Sequence, residues 1–238
     1  MDNQFQKDLQ ELQISLTDKQ LSQFQTYYEM IVDWNEKINL TAITERAEVE
    51  KKHFVDSLSL IRACDLSGDL SLIDVGTGAG FPGIPLKIAF PNLKITLLDS
   101  LNKRILFLNR VIEELNLSDI NTVHGRAEDF SKENLLREKF DVCVSRAVAN
   151  MTTLSEYCIP YVKVGGFFVS YKSEKVTDEL AGADGAIRVL GGAVQRQVEF
   201  HLPDSDIYRN LVVIEKKKPT PKKYPRKAGL PAKEPLKF

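Results

Sequence analysis

The sequence predicts an α/β protein: a doubly wound, mostly parallel sheet of seven strands, closed by a C-terminal antiparallel hairpin and preceded by helices. Three observations carry this expectation. Short apolar runs alternate with helical patterns from Leu72 to Tyr171, as they do where helices cover both faces of a parallel sheet. The first run, Leu72-Ile73-Asp74-Val75, breaks into Gly76-Thr77-Gly78-Ala79-Gly80-Phe81-Pro82-Gly83, a turn of the kind that joins a central strand to a helix. Near the end, the alternating Val198-Glu199-Phe200-His201-Leu202 and the wholly apolar Leu211-Val212-Val213-Ile214 flank the turn Pro203-Asp204-Ser205-Asp206. Strands joined so closely must be antiparallel.

The first seventy residues read as helical. Thr17 and Gln20 form a capping box, and Leu21, Phe24, Tyr28, Ile31 and Ile38 follow at helical spacing, with Tyr27 and Trp34 beside that stripe. These aromatics are expected in the core and not on an RNA-stacking surface. A second helical stretch runs from about Glu45 to Cys64, with Val49, Phe54, Leu58 and Ile61 as its apolar positions. His53 and Asp56 stand three residues apart on it, close enough to touch, and His53 reads as a hydrogen-bonded structural residue. After the glycine turn, Pro82 and Pro85 place a helix N-terminus there, expected to be exposed with free N–H groups. Asn92 to Leu98 is the second strand, closed by Asp99, and Leu101, Ile105, Leu108, Ile112 and Leu115 mark its helix. Ile120 to Val123, Phe140 to Val144, and Phe167 to Tyr171 after a Gly165-Gly166 stop are the next three strands. A weakly patterned helix near Val176 to Leu190 precedes the hairpin.

The totals exclude several classes. At 238 residues the chain can bury a full core, and no apolar run reaches the length of a membrane span. The start, Met1-Asp2-Asn3-Gln4, lacks the pattern of a signal peptide, so a cytoplasmic, membrane-free monomer is expected. Cys64, Cys143 and Cys158 lack C-x-x-C spacing and read as packing residues, with no metal site. The net charge of −1 conceals an asymmetry: Lys216 to Phe238 carries +8 and the preceding chain −9. A polyanionic partner is therefore met by the tail or by local patches.

In an open parallel sheet a ligand lies beyond the carboxyl ends of the strands. Gly78-x-Gly80-x-x-Gly83 matches the dinucleotide pattern, so NAD is one candidate. Asp74 two residues before the first glycine, the G-x-G-x-G run from Gly76, and the closing hairpin favour S-adenosylmethionine, the last being the layout of class I methyltransferases. On that reading Gly76, Gly78 and Gly80 meet the methionine half, Asp99 the ribose hydroxyls, Ala127 and Glu128 the adenine, and Arg146 the carboxylate or a phosphate. The alternatives are a helix-capping Asp99, a solvated Glu128 and a surface ion pair for Arg146.

The run Asp74 to Leu86, then Leu97-Leu98-Asp99-Ser100-Leu101-x-Lys103-Arg104 and Val144-Ser145-Arg146-Ala147, resembles the RsmG family, also called glucose-inhibited division protein B. Trp34-Asn35-x-x-Ile38-Asn39-Leu40-Thr41 and His53-Phe54-Val55-Asp56-Ser57-Leu58 are similar to it too. The resemblance implies an S-adenosylmethionine-dependent enzyme that methylates N7 of one guanine in 16S rRNA of the small ribosomal subunit. It implies cofactor contacts at Gly76, Phe81, Ala127, Glu128 and Arg146; the chain itself reads as an N-terminal helical cap (1–69), a methyltransferase domain (70–215) and a basic tail (216–238).

Guanine N7 carries a lone pair and no proton, so no catalytic general base is expected and alignment does the work. The end of the fourth strand has neither an Asn/Asp-Pro-Pro-aromatic motif nor a Pro-Cys nucleophile, which fits. Lys103 and Arg104 occupy the first turn of a helix, where their charge opposes the dipole and suggests a phosphate partner, a solvated pair being the alternative. Arg126 and Lys172 lie on the same rim, and the tail with Arg226 and Lys227 reads as an arm that orders on RNA phosphates. Two rivals remain open: a NAD-dependent oxidoreductase and a non-catalytic RNA-binding protein.

Overall fold

The computed structural model describes residues 3–132, 135–146, 149–174 and 176–237; Ala147, part of the fourth-strand run above, lies outside them. Helices α1 (Asn3–Glu11) and α2 (Asp18–Ile38) open the chain. Thr17 caps α2 through the Gln20 box, and Asn39, left-handed at φ 49°, ends it. The next helical stretch is composite: α3 (Arg46–Val49), a π-helical segment Glu50–Val55, α4 (Asp56–Leu58) and a 3₁₀ turn Ser59–Arg62. Then come β1 (Ser71–Val75), α5 (Gly83–Ala89), β2 (Lys94–Asp99), α6 (Asn102–Glu114), β3 (Ile120–His124), α7 (Ala127–Phe130) and β4 (Phe140–Ser145). The last group is α8 (Met151–Cys158), β5 (Val162–Lys172), α9 (Thr177–Val189), β6 (Gly192–His201), β7 (Tyr208–Lys216) and α10 (Leu230–Lys233).

The seven strands form one sheet in the order β3-β2-β1-β4-β5-β7-β6. β1 pairs in parallel with β2 on one side and β4 on the other, so strand order reverses at β1. Such a reversal opens a crevice beyond the carboxyl ends. β7 runs antiparallel between β5 and β6, which is the predicted hairpin.

Alternation along β1 divides the core. Leu72 faces a cluster that holds Phe5, Phe24, Tyr27, Phe54, Ile84 and Leu97, while Ile73 and Val75 face one that holds Met151, Tyr161, Ala183 and Tyr224. Cys143 and Cys158 are buried in the second cluster. In α2 the residue that enters the core is Tyr27, fully buried, and not Tyr28, which instead lies under Arg46. Trp34 is half-buried against Phe107, with ring centroids 5.5 Å apart.

One expected boundary fails: β5 begins at Val162 and runs through Gly165-Gly166. Gly166 is there for close approach, since a Cβ at that position would lie 2.5 Å from the Asp141 carbonyl oxygen, beside a register shift between Phe140 and Val142.

Candidate functional site

The glycine turn is held from three sides. Gly76 and Thr77 donate to the Leu98 carbonyl at 2.9 and 3.2 Å, Gly80 and Phe81 to the Thr77 carbonyl at 2.9 Å, and Gly78 to Asp99 Oδ2 at 2.9 Å. From behind, the Tyr27 hydroxyl donates to the Ala79 carbonyl at 2.6 Å. Gly76 and Gly78, at φ 75° and 63°, occupy the left-handed region, and a Cβ on Gly78 would meet nothing within 4 Å. Gly80 is different. A Cβ there would strike Ile84 and the Tyr27 hydroxyl at 2.6 and 2.8 Å, so it is a packing glycine turned away from the crevice.

The helix that follows corrects the expectation of an exposed N-terminus. All of α5 is buried. Gly83 N donates to Asp74 Oδ2 at 2.9 Å, Ile84 N to the Gly80 carbonyl and Leu86 N to the Pro82 carbonyl, while Pro85 has no N–H. The Asp74 carboxyl, fully buried and also accepting from the Thr77 hydroxyl at 2.7 Å, is pushed up to about 6 by desolvation, against those hydrogen bonds. A pyrophosphate-binding glycine loop offers outward N–H groups at a helix N-terminus. Here those groups are spent and an acid caps the helix, so the turn leaves carbonyl oxygen and bare Cα surface to its ligand, a lining suited to a cation.

In front of the turn lies a cleft of about 660 Å³. Gly76, Gly78, Phe81, Asp99, Arg104, Arg126, Ala127, Glu128 and Arg146 all line it; Gly80 does not. Asp99 is buried, and its Oδ1 accepts from Leu101 N at 2.9 Å, while its Oδ2 takes Gly78 N and, at 3.3 Å, Arg104 Nη1. Glu128 is buried as well, with Oε1 accepting from Gly229 N at 2.7 Å. Two carboxylates at successive strand ends and a glycine cradle fit the hydroxyls, the amino groups and the sulfonium charge of S-adenosylmethionine, and the volume suits a nucleoside-sized ligand, for which about 300–1,000 Å³ is typical.

A second cleft of about 670 Å³ adjoins the first, and His53 and Arg146 line both. Arg146 Nη1 donates to Asp56 Oδ2 at 3.1 Å and to the Lys52 carbonyl at 3.2 Å, while Nη2 lies 3.0 Å from His53 Nδ1. Nδ1 also lies 3.1 Å from the Lys52 carbonyl, so that nitrogen meets one donor and one acceptor, while Nε2 lies 2.9 Å from Thr41 Oγ1. Desolvation first, and the Arg146 charge second, lower the His53 pKa from 6.5 to about 3. His53 stacks on Phe81 with ring centroids 4.4 Å apart, and Arg146 lies over the same ring at 5.1 Å. Asp56 receives a second arginine, Arg209 Nε, on Oδ1 at 2.8 Å. His53 and Asp56, expected to touch each other, are instead bridged by Arg146.

Thr41, His53, Asp56 and Arg209 are the residues that sequence reasoning left without a role. Local signals exist for Thr41 and His53. Asn35 Oδ1 accepts from Thr41 N at 2.9 Å and Asn39 turns the chain, which brings Thr41 to the cleft. The π segment widens the helix where Lys52 and His53 sit, a device common at functional positions. Arg209, in an ordinary strand pattern, had no such signal.

The basic residues assigned to RNA divide in two. Lys103, Arg126 and Lys227 are exposed. Arg104 pairs with Asp99, Lys172 Nζ with Glu179 at 2.8 Å, and Arg226 Nη2 with the fully buried Glu156 at 2.7 Å. The tail is folded back: Arg137 donates to the carbonyls of Thr220, Pro221 and Tyr224, and Lys216 is buried against the Ile159 carbonyl and Thr220. The expected loose arm is thus a strap, because its carbonyls and cations find partners on the body of the protein.

A sequence profile described as rRNA small subunit methyltransferase G matches residues 20–209. The chain is 54% identical over 232 residues to the ribosomal RNA small subunit methyltransferase G of Lachnoclostridium phytofermentans, covering 98% of this chain and 96% of that protein. It is 50% identical to the protein of the same description from Clostridium botulinum, covering 99% and 98%. Among solved structures it is similar to TrmN of Thermus thermophilus, with a TM-score of 0.52 and 17% identity over 68% of this chain and 48% of that one. The precorrin-6y C5,15-methyltransferase of Geobacter metallireducens gives a TM-score of 0.50 with 17% identity, over 76% of this chain and 92% of that one. At such identities these two likenesses speak for the fold alone.

Proposed function

The chain belongs to the rRNA small subunit methyltransferase G family, and from that premise we propose how its two clefts divide the work of methylating 16S rRNA at N7 of a guanine. The protein is an S-adenosylmethionine-dependent rRNA methyltransferase. When bound, that cofactor supplies a methyl group made electrophilic by its sulfonium.

The first cleft is the donor site in this reading. Gly76, Gly78 and Phe81 hold the methionine end, Asp99 the ribose, and Ala127 and Glu128 the adenine, with Gly80 bracing the turn from behind. Arg146 meets the donor's carboxylate on one side and faces the second cleft on the other. The target base enters the second cleft. N7 attacks with its own lone pair, so no side chain has to remove a proton. Burial and the neighbouring Arg146 charge keep His53 neutral, which suits a residue that orients and does not shuttle protons. Holding nucleophile and methyl group in line can supply about 7–11 kcal/mol of the barrier. Lys103, Arg126 and Lys227 are free to meet phosphates on the exposed rim, whereas Arg104, Lys172 and Arg226 serve inside the protein.

The observation that carries this reading is the shared wall: one Arg146–His53 pair lines both clefts, where a methyl group passing from donor to base has to cross. The test uses small subunits from cells lacking the protein and donor labelled in its methyl group. Label on one 16S guanine, with the strand scission after borohydride and aniline that marks N7-methylguanine, is the expected result. Label on an exocyclic amino group or a ring carbon would overturn the assignment to N7.

A further inference from the structure

The tail does more than return to the body of the protein. It ends behind the lining of the donor cleft, and two contacts fix it there. Gly229 N donates to Glu128 Oε1 at 2.7 Å, and Glu128 lines the cleft. Gly229 is at φ 83°, and the first atom a Cβ there would meet is Arg126 Nη1 at 3.6 Å, on another residue of the lining. Arg226 is the anchor: its backbone N and its Nε reach Glu156 Oε1 at 2.8 and 2.9 Å, and its Nη2 reaches Oε2 at 2.7 Å. Glu156 is fully buried and precedes Tyr157, which also lines the cleft. On either side of these contacts, Tyr224 packs in the core cluster of Ala127 and Leu154, and the Thr153 hydroxyl donates to the Pro231 carbonyl at 3.2 Å.

We propose that residues 224–234 form the outer wall of the adenine end of the donor site, and that Arg226, acting through Glu156, is the positioning residue that seats this wall on Glu128. The inference rests on the reading of the first cleft as the S-adenosylmethionine site. A buried carboxylate such as Glu156 requires a partner, and Arg226 supplies two charge-assisted hydrogen bonds and a fixed orientation. Without it the strap leaves, Glu128 loses the Gly229 N–H, and the adenine end opens to water. Linkage makes the effect reciprocal: whatever factor the seated strap adds to donor affinity, bound donor adds to strap seating.

The experiment compares the full-length protein with Arg226→Ala, Arg226→Lys and Gly229→Ala, the last straining the left-handed backbone without touching a charge. For Arg226→Ala the dissociation constant for S-adenosylmethionine and the inhibition constant of adenosine are expected to rise together by about tenfold, the scale of one charge-assisted hydrogen bond. The KM for donor rises with them, while kcat at saturating donor and the KM for small subunits stay as in the wild type. Arg226→Lys recovers part of the loss, and Gly229→Ala shifts the same constants in the same direction. In the wild type, saturating donor slows tryptic cleavage after Lys222, Lys223 and Lys227 by the factor seen in binding. Rapid cleavage of the Arg226→Ala tail with unchanged donor and adenosine constants would overturn the proposal, as would a rise confined to the KM for small subunits. Failure of the wild type itself to bind donor would instead remove the reading of the cleft on which the proposal stands.

Discussion

The two clefts share a wall but are built from different material. The donor cleft is built around backbone: the turn from Gly76 to Phe81, five of whose N–H groups are spent on Leu98, Thr77 and Asp99, with Tyr27 packed between Phe54 and Phe81 behind it. The second cleft is side chains from separated segments: His53 and Asp56 from the composite helix, Arg146 after β4 and Arg209 from β7. A backbone site is rigid before its ligand arrives. A site made of charges that neutralise one another keeps its shape only while every member is present, because a buried charge that loses its partner costs about 3–5 kcal/mol.

The sharpest way to break the first half of this comparison is Gly78→Asp. Open space faces the missing Cβ, so folding survives apart from the strain of φ 63°, but a carboxylate then projects into the cleft beside Asp99. Donor binding is expected to fall below detection by calorimetry while the thermal midpoint drops by only a few degrees, about 1 kcal/mol for a left-handed non-glycine residue. Binding at wild-type affinity would mean that the turn does not face the donor. Arg146→Met comes next, because Arg146, with His53, belongs to both clefts. Removing its hydrogen bonds to charged groups, about 1.5–3 kcal/mol, predicts a loss of roughly 10- to 100-fold in donor affinity and a matching rise in the KM for small subunits. Asp56→Asn separates the clefts. It removes the charge and one of the two acceptor oxygens, so that Arg146 and Arg209 compete for the one that is left, and the KM for small subunits is expected to rise by about tenfold while donor affinity stays within about twofold.

The same contrast governs what was legible in the sequence. The sheet, its helices and the closing hairpin follow from apolar periodicity, and the glycine turn announces itself because glycine alone adopts the left-handed backbone of Gly76 and Gly78 without strain. Backbone requirements leave residue-type signatures at fixed spacing. Two parts of the turn were misread for the same reason: Gly80 and the start of α5 have the right residue types in the right places, yet burial turns one toward Tyr27 and spends the other's Gly83 N–H on Asp74. The second cleft was illegible because its members lie 93 residues apart across the His53–Arg146 contact and 153 across the Asp56–Arg209 contact, and no local pattern records either. The tail misled through composition. Its lysines and prolines read as a solvated arm, but Glu156, Glu128 and Glu138 had already been placed along α8, α7 and the approach to β4 to receive it.

The smallest predicted effect is the most diagnostic, since the clefts contain titrations of opposite sign. His53, in the second, has its pKa lowered from 6.5 to about 3 in the folded protein. The unfolded chain therefore binds more protons between those values, and stability falls as pH drops through them. Asp74, under the donor cleft, has its pKa raised from 3.8 to about 6. There the folded protein binds more protons, and stability falls as pH rises from about 4 to 6. Across that common window the slopes oppose, and since each group contributes at most one proton they largely cancel in the wild type. His53→Asn, whose Oδ1 can still accept from Arg146, is expected to expose the Asp74 slope, so that the thermal midpoint declines from pH 4 to 6. Asp74→Asn, which keeps an acceptor for Thr77 and Gly83, exposes the opposite slope, a rise. Parallel midpoint curves for wild type and His53→Asn would show that folding leaves the His53 pKa unshifted, and the burial-enforced neutrality assigned to it beside Arg146 would fall with that result.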